Sequence, residues 1–269
     1  MGNSSVTRMQ VTQELKIFTL YLALIVIAET VTSFVNPIYG LFIHSVLLIS
    51  LLGLSVFWQK INKAQNPFLC LAIAPLIRVF SLSLPLEYLP PYAWYLVAGI
   101  PMLVSALTVI RIQGLHLKDV GITLSRPKIQ LAIAFTGIPF GVLEYYILKP
   151  APLMANFTIL GFVLLALGFI VATGFVEELV FRGVFQNSAV KAFGTTTGLL
   201  LVSIVFAVLH IGWLQVLDVV FVFTIGLFFS VLTLKTGSIA GVSLSHGLTN
   251  VFLFLVMPSA ASLISLLSS

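Results

Sequence analysis

The sequence predicts an all-α fold, a polytopic transmembrane bundle of about eight helices, and three observations predict it. Of 269 residues, 59% are hydrophobic and only 8% charged, whereas soluble domains carry roughly 25% charged residues. The mean hydropathy of +1.16 leaves more apolar surface than a soluble core can hide, so the solvent is lipid. Windows of about 20 apolar residues, enough to cross the hydrocarbon layer, recur along the whole chain.

Nine such windows are visible, at 17–35, 38–58, 68–86, 92–110, 129–148, 157–176, 196–214, 216–234 and 238–257. Some connections, such as Asn36-Pro37 and Leu214-Gln215, are very short, so the spans number eight or nine. The first apolar stretch exceeds the 7–15 residues of a signal-peptide core and lacks an A-x-A-like cleavage site, which reads as a retained helix. Pro75, Gly137 and Pro139 are expected to kink their spans, a habit of such residues in lipid.

Charge sets the orientation. With the N-terminus cytoplasmic, Arg8, Lys16, Lys60, Lys63, Arg111, Lys118, Arg126, Lys128, Lys191 and Lys235 fall inside, and Lys149 and Glu87 outside. That bias follows the positive-inside rule. Topology and anionic inner-leaflet lipid thus explain the net charge of +5, which excludes reading it as a nucleic-acid signal. The expected location is an integral membrane protein, in a prokaryotic plasma membrane since no organellar transit peptide is seen. The single cysteine, Cys70, excludes an intramolecular disulfide and a CxxC metal knuckle.

The chain divides into a cytoplasmic N-terminal arm (1–16), N-terminal transmembrane helices (17–110), a cytoplasmic linker (111–128), a second transmembrane domain (129–257) and a C-terminal tail (258–269). The linker carries Gly121 to Pro127, which reads as a turn followed by an X-Pro helix start. Before it, ionisable groups within spans are scattered: Glu29, His44 and Arg78. Beyond it they gather into three groups, and because buried charge costs roughly 2.5–3.5 kcal/mol each, the second half reads as the working part.

The first group is Glu177-Glu178-Leu179-Val180-Phe181-Arg182. On a helix Glu178 and Arg182 lie four apart, acid first, the favourable order for an ion pair. Glu177 points about 100° away and is left available as a general base. The second group places Phe206 one turn before His210, and the third places His246 one turn before Asn250. Together they offer a base, two imidazoles and an amide donor, a set that can activate water and stabilise an oxyanion.

These residues resemble the CPBP family of intramembrane glutamic endopeptidases (CAAX-protease and bacteriocin-processing, Abi-like), whose pattern reads EExxxR, FxxxH, then HxxxN or HxxxD. The likeness spans roughly residues 115–257. It implies an endopeptidase that cleaves a membrane-associated, optionally prenylated, protein or peptide with water. By position it implies Glu177 as general base, His210 as water holder, His246 and Asn250 as oxyanion donors, with Glu178, Arg182 and Phe206 in support. The expected partners are the lipid bilayer and that substrate. No cofactor is expected. A divalent metal such as zinc on Glu177, His210 and His246 is the alternative, disfavoured because no H-E-x-x-H occurs.

Lys191 closely follows the first motif, so the site is expected to open toward the cytoplasmic face. Two other functions use part of the same set: a proton-coupled transporter, against which no interrupted helices appear in matching halves, and a non-catalytic scaffold or immunity protein. Outside the motifs, Arg78 is expected to pair with Glu29 or Glu144, His44 to hydrogen-bond across helices, and Asp218 to sit exposed at the interface after a short outer turn.

Overall fold

The computed structural model describes residues 2–61, 66–84, 88–89, 91–154 and 158–261. Lys63, Glu87 and residues 262–269, which entered the reading of orientation and tail, lie outside the described residues. Every regular element among the described residues is helical, and eight helices are long and apolar enough to cross a membrane.

In chain order the helical elements are α1 (Gly2–Phe34), α2 (Pro37–Ile61), the short, non-spanning pair α3 (Pro67–Leu71) and α4 (Ile73–Ser83), α5 (Pro91–Ile112), and α6 (Pro127–Phe135) with α7 (Gly137–Leu148), which together make one span. They are followed by α8 (Ile159–Phe193), the helical part Thr195–Val208 as α9, α10 (Val216–Thr236) and α11 (Ala240–Ala261). The expected arm runs into α1 without a break from Gly2 on.

The window at 68–86 is the one that does not span as a single helix. Its apolar residues split at Ala72 into α3 and α4, because Pro75 has no N–H to give to the carbonyl one turn back. Pro139 does the same between α6 and α7, which meet at Thr136. The Arg126-Pro127 step starts α6 with proline in its first turn, as the linker reading required.

One hydrophobic core runs through both halves of the chain. Phe18 of α1 packs on Phe68 of α3 at 6.2 Å and on Phe185 and Phe193 of α8 at 6.0 and 5.2 Å. Glu29 takes two contacts from Arg78, at 2.8 and 2.7 Å, so the Arg78–Glu29 pairing holds and the Arg78–Glu144 pairing does not form. His44 Nε2 lies 3.5 Å from Glu29 Oε1, in ion-pair range if protonated, but neither ring nitrogen has a hydrogen-bond partner. Arg78 also donates from Nη2 to the Leu209 carbonyl at 2.9 Å, tying the first half to the end of α9.

The linker is held at the basic end of the bundle. Ile239 N–H donates to the Gly121 carbonyl at 2.9 Å, Ser238 Oγ to the Thr123 carbonyl at 2.6 Å, and Asn187 Nδ2 to the Asp119 carbonyl at 2.6 Å.

Candidate active site

Helix α8 carries the first motif, and its hydrogen bonding widens to the π-helical i→i+5 pattern at Phe169–Phe175 and Leu179–Phe185, on both sides of Val176–Glu178. Such widened turns inside α-helices occur frequently at functional sites. Here they turn Glu177, Glu178 and Arg182 toward α11, α9 and α10. Glycines let the backbones close in. A Cβ on Gly174 would strike the Ser243 carbonyl and come within 2.8 Å of Gly247 N, and one on Gly247 would come within 2.6 Å of Ile170 Cα.

Glu178 is fully buried and its Oε1 takes two partners: Arg182 Nη1 at 3.0 Å and His246 Nδ1 at 2.9 Å. The Arg182 guanidinium lies over the Phe206 ring at 4.2 Å, a cation–π contact that suits a desolvated charge. Gly226 of α10 leaves the room for it, since a Cβ there would come within 3.0 Å of Arg182 Nη2. Phe206 meets His246 edge-on at 5.9 Å and lies tilted against His210 at 5.0 Å. It is the apolar wall against which all three polar groups rest.

His210 Nδ1 lies 2.9 Å from the Phe206 carbonyl. A carbonyl only accepts, so this nitrogen carries the hydrogen, and in the neutral ring Nε2 is left as an acceptor. By the same logic His246 donates from Nδ1 to Glu178, and its Nε2 lies 3.9 Å from Glu177 Oε2, a gap too long for a direct hydrogen bond. Asn250 donates from Nδ2 to Thr173 Oγ1 at 2.8 Å, which leaves its second amide hydrogen unspent.

Glu177, Phe206, His210, His246 and Asn250 all line one cavity of about 170 Å³. Glu178 and Arg182 sit behind it. The same cavity is lined by Tyr95, Glu144, Thr173 and Trp213, none of which the motif reading singled out. Glu144 had a signal, for Gly137 and Gly141 share its helical face, and a G-x-x-x-G stripe marks a close helix contact. Both glycines abut α11, at the Ser245 and Thr249 carbonyls, and this turns Glu144 toward the His246–Asn250 face.

Several cavity residues lie toward the bundle end opposite the linker. Glu144 sits near the Lys149 end of α7, Trp213 falls between α9 and α10, and Tyr95 is close to the start of α5. Glu177 is fourteen residues before Lys191, about 21 Å at 1.5 Å per residue. Glu177 thus lies deep within α8, which runs from Ile159 to Phe193. At the basic end a separate cavity of about 210 Å³ is lined by Lys118, Asp119, Arg182, Gln186 and Asn187, among others. The reading of Asp218 is corrected. It is fully buried, in the first turn of α10, where the helix dipole favours an acid.

The alternative metal site is not assembled as a ligand cluster. Among the described residues no group of three or more His, Cys, Asp or Glu side chains is placed to hold an ion.

Residues 159–252 match the family model for type II CAAX prenyl endopeptidase Rce1-like proteins. The segment is similar to that family. All seven motif residues, from Glu177 to Asn250, fall inside the Rce1-like match, and they are the residues that the fold brings to one place. No curated protein and no solved structure matches the chain. The Rce1-like match likens the segment 159–252 to the CAAX type of endopeptidase, and eight apolar helices among the described residues make the chain an integral membrane protein.

Proposed function

We propose that the chain is an intramembrane endopeptidase that hydrolyses a peptide bond of a membrane-associated protein or peptide with a water activated by Glu177. The observation that carries this reading is the Glu177 carboxyl in a cavity shared with His210, His246 and Asn250, with no arginine or lysine in the lining to neutralise it. Glu177 takes a proton from water held at His210 Nε2, and the hydroxyl adds to the scissile carbonyl carbon. Asn250 Nδ2–H and, in its imidazolium form, His246 Nε2–H donate to the oxyanion. The C–N bond then breaks and the Glu177 proton passes to the leaving amine. Glu178 and Arg182 hold His246 in place without touching substrate. The rings of Trp213, Phe221, Phe229 and Phe254 line the cavity and suit an apolar segment, a prenylated one included.

The test is incubation of the protein, purified in mild detergent, with a mixed pool of prenylated and plain hydrophobic peptides, scored by mass spectrometry with and without chelator. New termini that survive chelator and vanish in Glu177→Gln support the glutamate mechanism. Loss of cleavage to chelator favours the metal alternative, and equal cleavage by both proteins removes Glu177 from the reaction.

A further inference from the structure

The cavity carries a second acid that the proposed hydrolysis does not use. Glu144 of α7 lines it and is only 7% exposed, yet it forms no ion pair and no described residue donates a hydrogen bond to it. On the facing helix α10, Asp218 is fully buried and neither of its carboxyl oxygens has a hydrogen-bond partner. The two helices meet along Phe140 and Phe221, whose rings are 6.5 Å apart. Glu144 is one turn beyond Phe140 and Asp218 nearly one turn before Phe221, so the antiparallel pair sets these acids side by side, and the two interact electrostatically.

Buried carboxylates without partners are costly unless they take up a proton or something positive completes them. The lining includes Glu144 and Glu177 but no lysine or arginine, and Arg182 is committed to Glu178 and Phe206. Two neighbouring carboxylates fall short of the six to eight oxygens that calcium takes, and no third acid, His or Cys joins them into a metal-holding group among the described residues. Beside His246, which lines the same cavity and interacts electrostatically with Glu144, an organic cation brought by the ligand supplies complementary charge. A substrate seated by its C-terminal carboxylate meets the opposite of what it needs, two acids and no guanidinium.

We propose that Glu144 is a specificity-determining residue that seats a lysine or arginine side chain of the substrate beside the scissile bond. This rests on the hydrolytic reading of the same cavity. Glu144 sits near the outer-reading end of α7, toward Trp213 and Tyr95, so the basic side chain enters from that end with its apolar stem along the aromatic rings, as long basic side chains do.

The test uses the full chain in detergent and matched peptides carrying lysine, norleucine or glutamate at each position flanking the cleaved bond. In wild type the lysine peptide is cleaved with a kcat/KM about tenfold or more above its norleucine twin, the value of one charge-assisted contact. Glu144→Gln erases that difference, and Glu144→Lys inverts it in favour of the glutamate peptide, a reversal that a purely structural role would not give. A Glu144→Gln protein that keeps the preference, or loses all peptides equally without inversion in Glu144→Lys, overturns the proposal. Binding of the same fluorescent peptides to Glu177→Gln separates the two readings. Lysine-selective binding without any cleavage by wild type refutes the hydrolysis and leaves the cation site standing. Cleavage without lysine preference refutes the cation site and leaves the hydrolysis standing.

Discussion

His246 Nδ1 and Arg182 Nη1 converge on one oxygen, Glu178 Oε1, at 2.9 and 3.0 Å. Glu178 is therefore the joint that fixes the imidazole on α11 to the guanidinium on α8. Its other oxygen has no partner, and neither do Arg182 Nε and Nη2, so the single shared oxygen is what holds the charges together. Glu178→Ala leaves a buried guanidinium unpaired, a loss of about 3–5 kcal/mol. Thermal unfolding in detergent is expected to show a lower midpoint for Glu178→Ala than for Glu177→Ala. Equal midpoints would mean that Glu178 is no structural joint.

The crossing of α8 and α11 depends on glycine. Gly174 lies one turn before Glu177 and Glu178, and its missing side chain faces the Ser243 carbonyl and Gly247. Gly174→Ala pushes the two helices apart at a cost of about 1–3 kcal/mol, as overpacking does. It also moves Glu177 away from His246. The expected result is a larger fractional loss of cleavage than Gly53→Ala, whose added carbon meets nothing within 4 Å.

The spans and the three motif groups were legible because each rests on local spacing. Apolar runs announce membrane helices, and polar residues four apart announce a shared face. Their convergence was implied only by order along the chain. Glu144 was not legible in the same way, since a lone acid in a span has no polar partner one turn away. Its face is given by Gly137 and Gly141, whose meaning depends on α11 lying against them. Asp218 was read from its distance to a turn, but its burial is decided by packing beside α7. The depth of Glu177 is hard to read for a similar reason, because α8 runs 35 residues, longer than one bilayer needs, and nearness to Lys191 along the chain does not give depth in the membrane.

Arg78 links the first half to the site. It pairs with Glu29 on α1 and donates to the carbonyl of Leu209, the residue before His210. Arg78→Lys keeps the charge but loses the forked geometry that serves both acceptors. Cleavage is expected to fall several-fold while the unfolding midpoint of Arg78→Lys stays above that of Arg78→Leu, which strands Glu29. If Arg78→Lys cleaves as well as wild type, the Leu209 contact does not position His210.

Orientation decides which compartment the cavity serves. The basic residues gather at the end of the bundle that holds the linker, and the positive-inside rule places that end in the cytoplasm. Trp213 and Glu144 then lie toward the opposite face. Cys70 is 1% exposed, so a Cys70→Ser background removes the native thiol from view. Val216→Cys, at a position 81% exposed next to Trp213, and Leu117→Cys, at a position 58% exposed in the linker, then report the two ends. A membrane-impermeant maleimide applied to intact prokaryotic cells is expected to label Val216→Cys at once and Leu117→Cys only after permeabilisation. That result makes substrates of the outer face, or of the outer half of the bilayer, the ones that reach Glu144 directly. The reverse labelling puts the cavity on the cytoplasmic side, where a prenylated cytoplasmic protein has the direct route, and shows that the lysines and arginines do not set the topology of this chain.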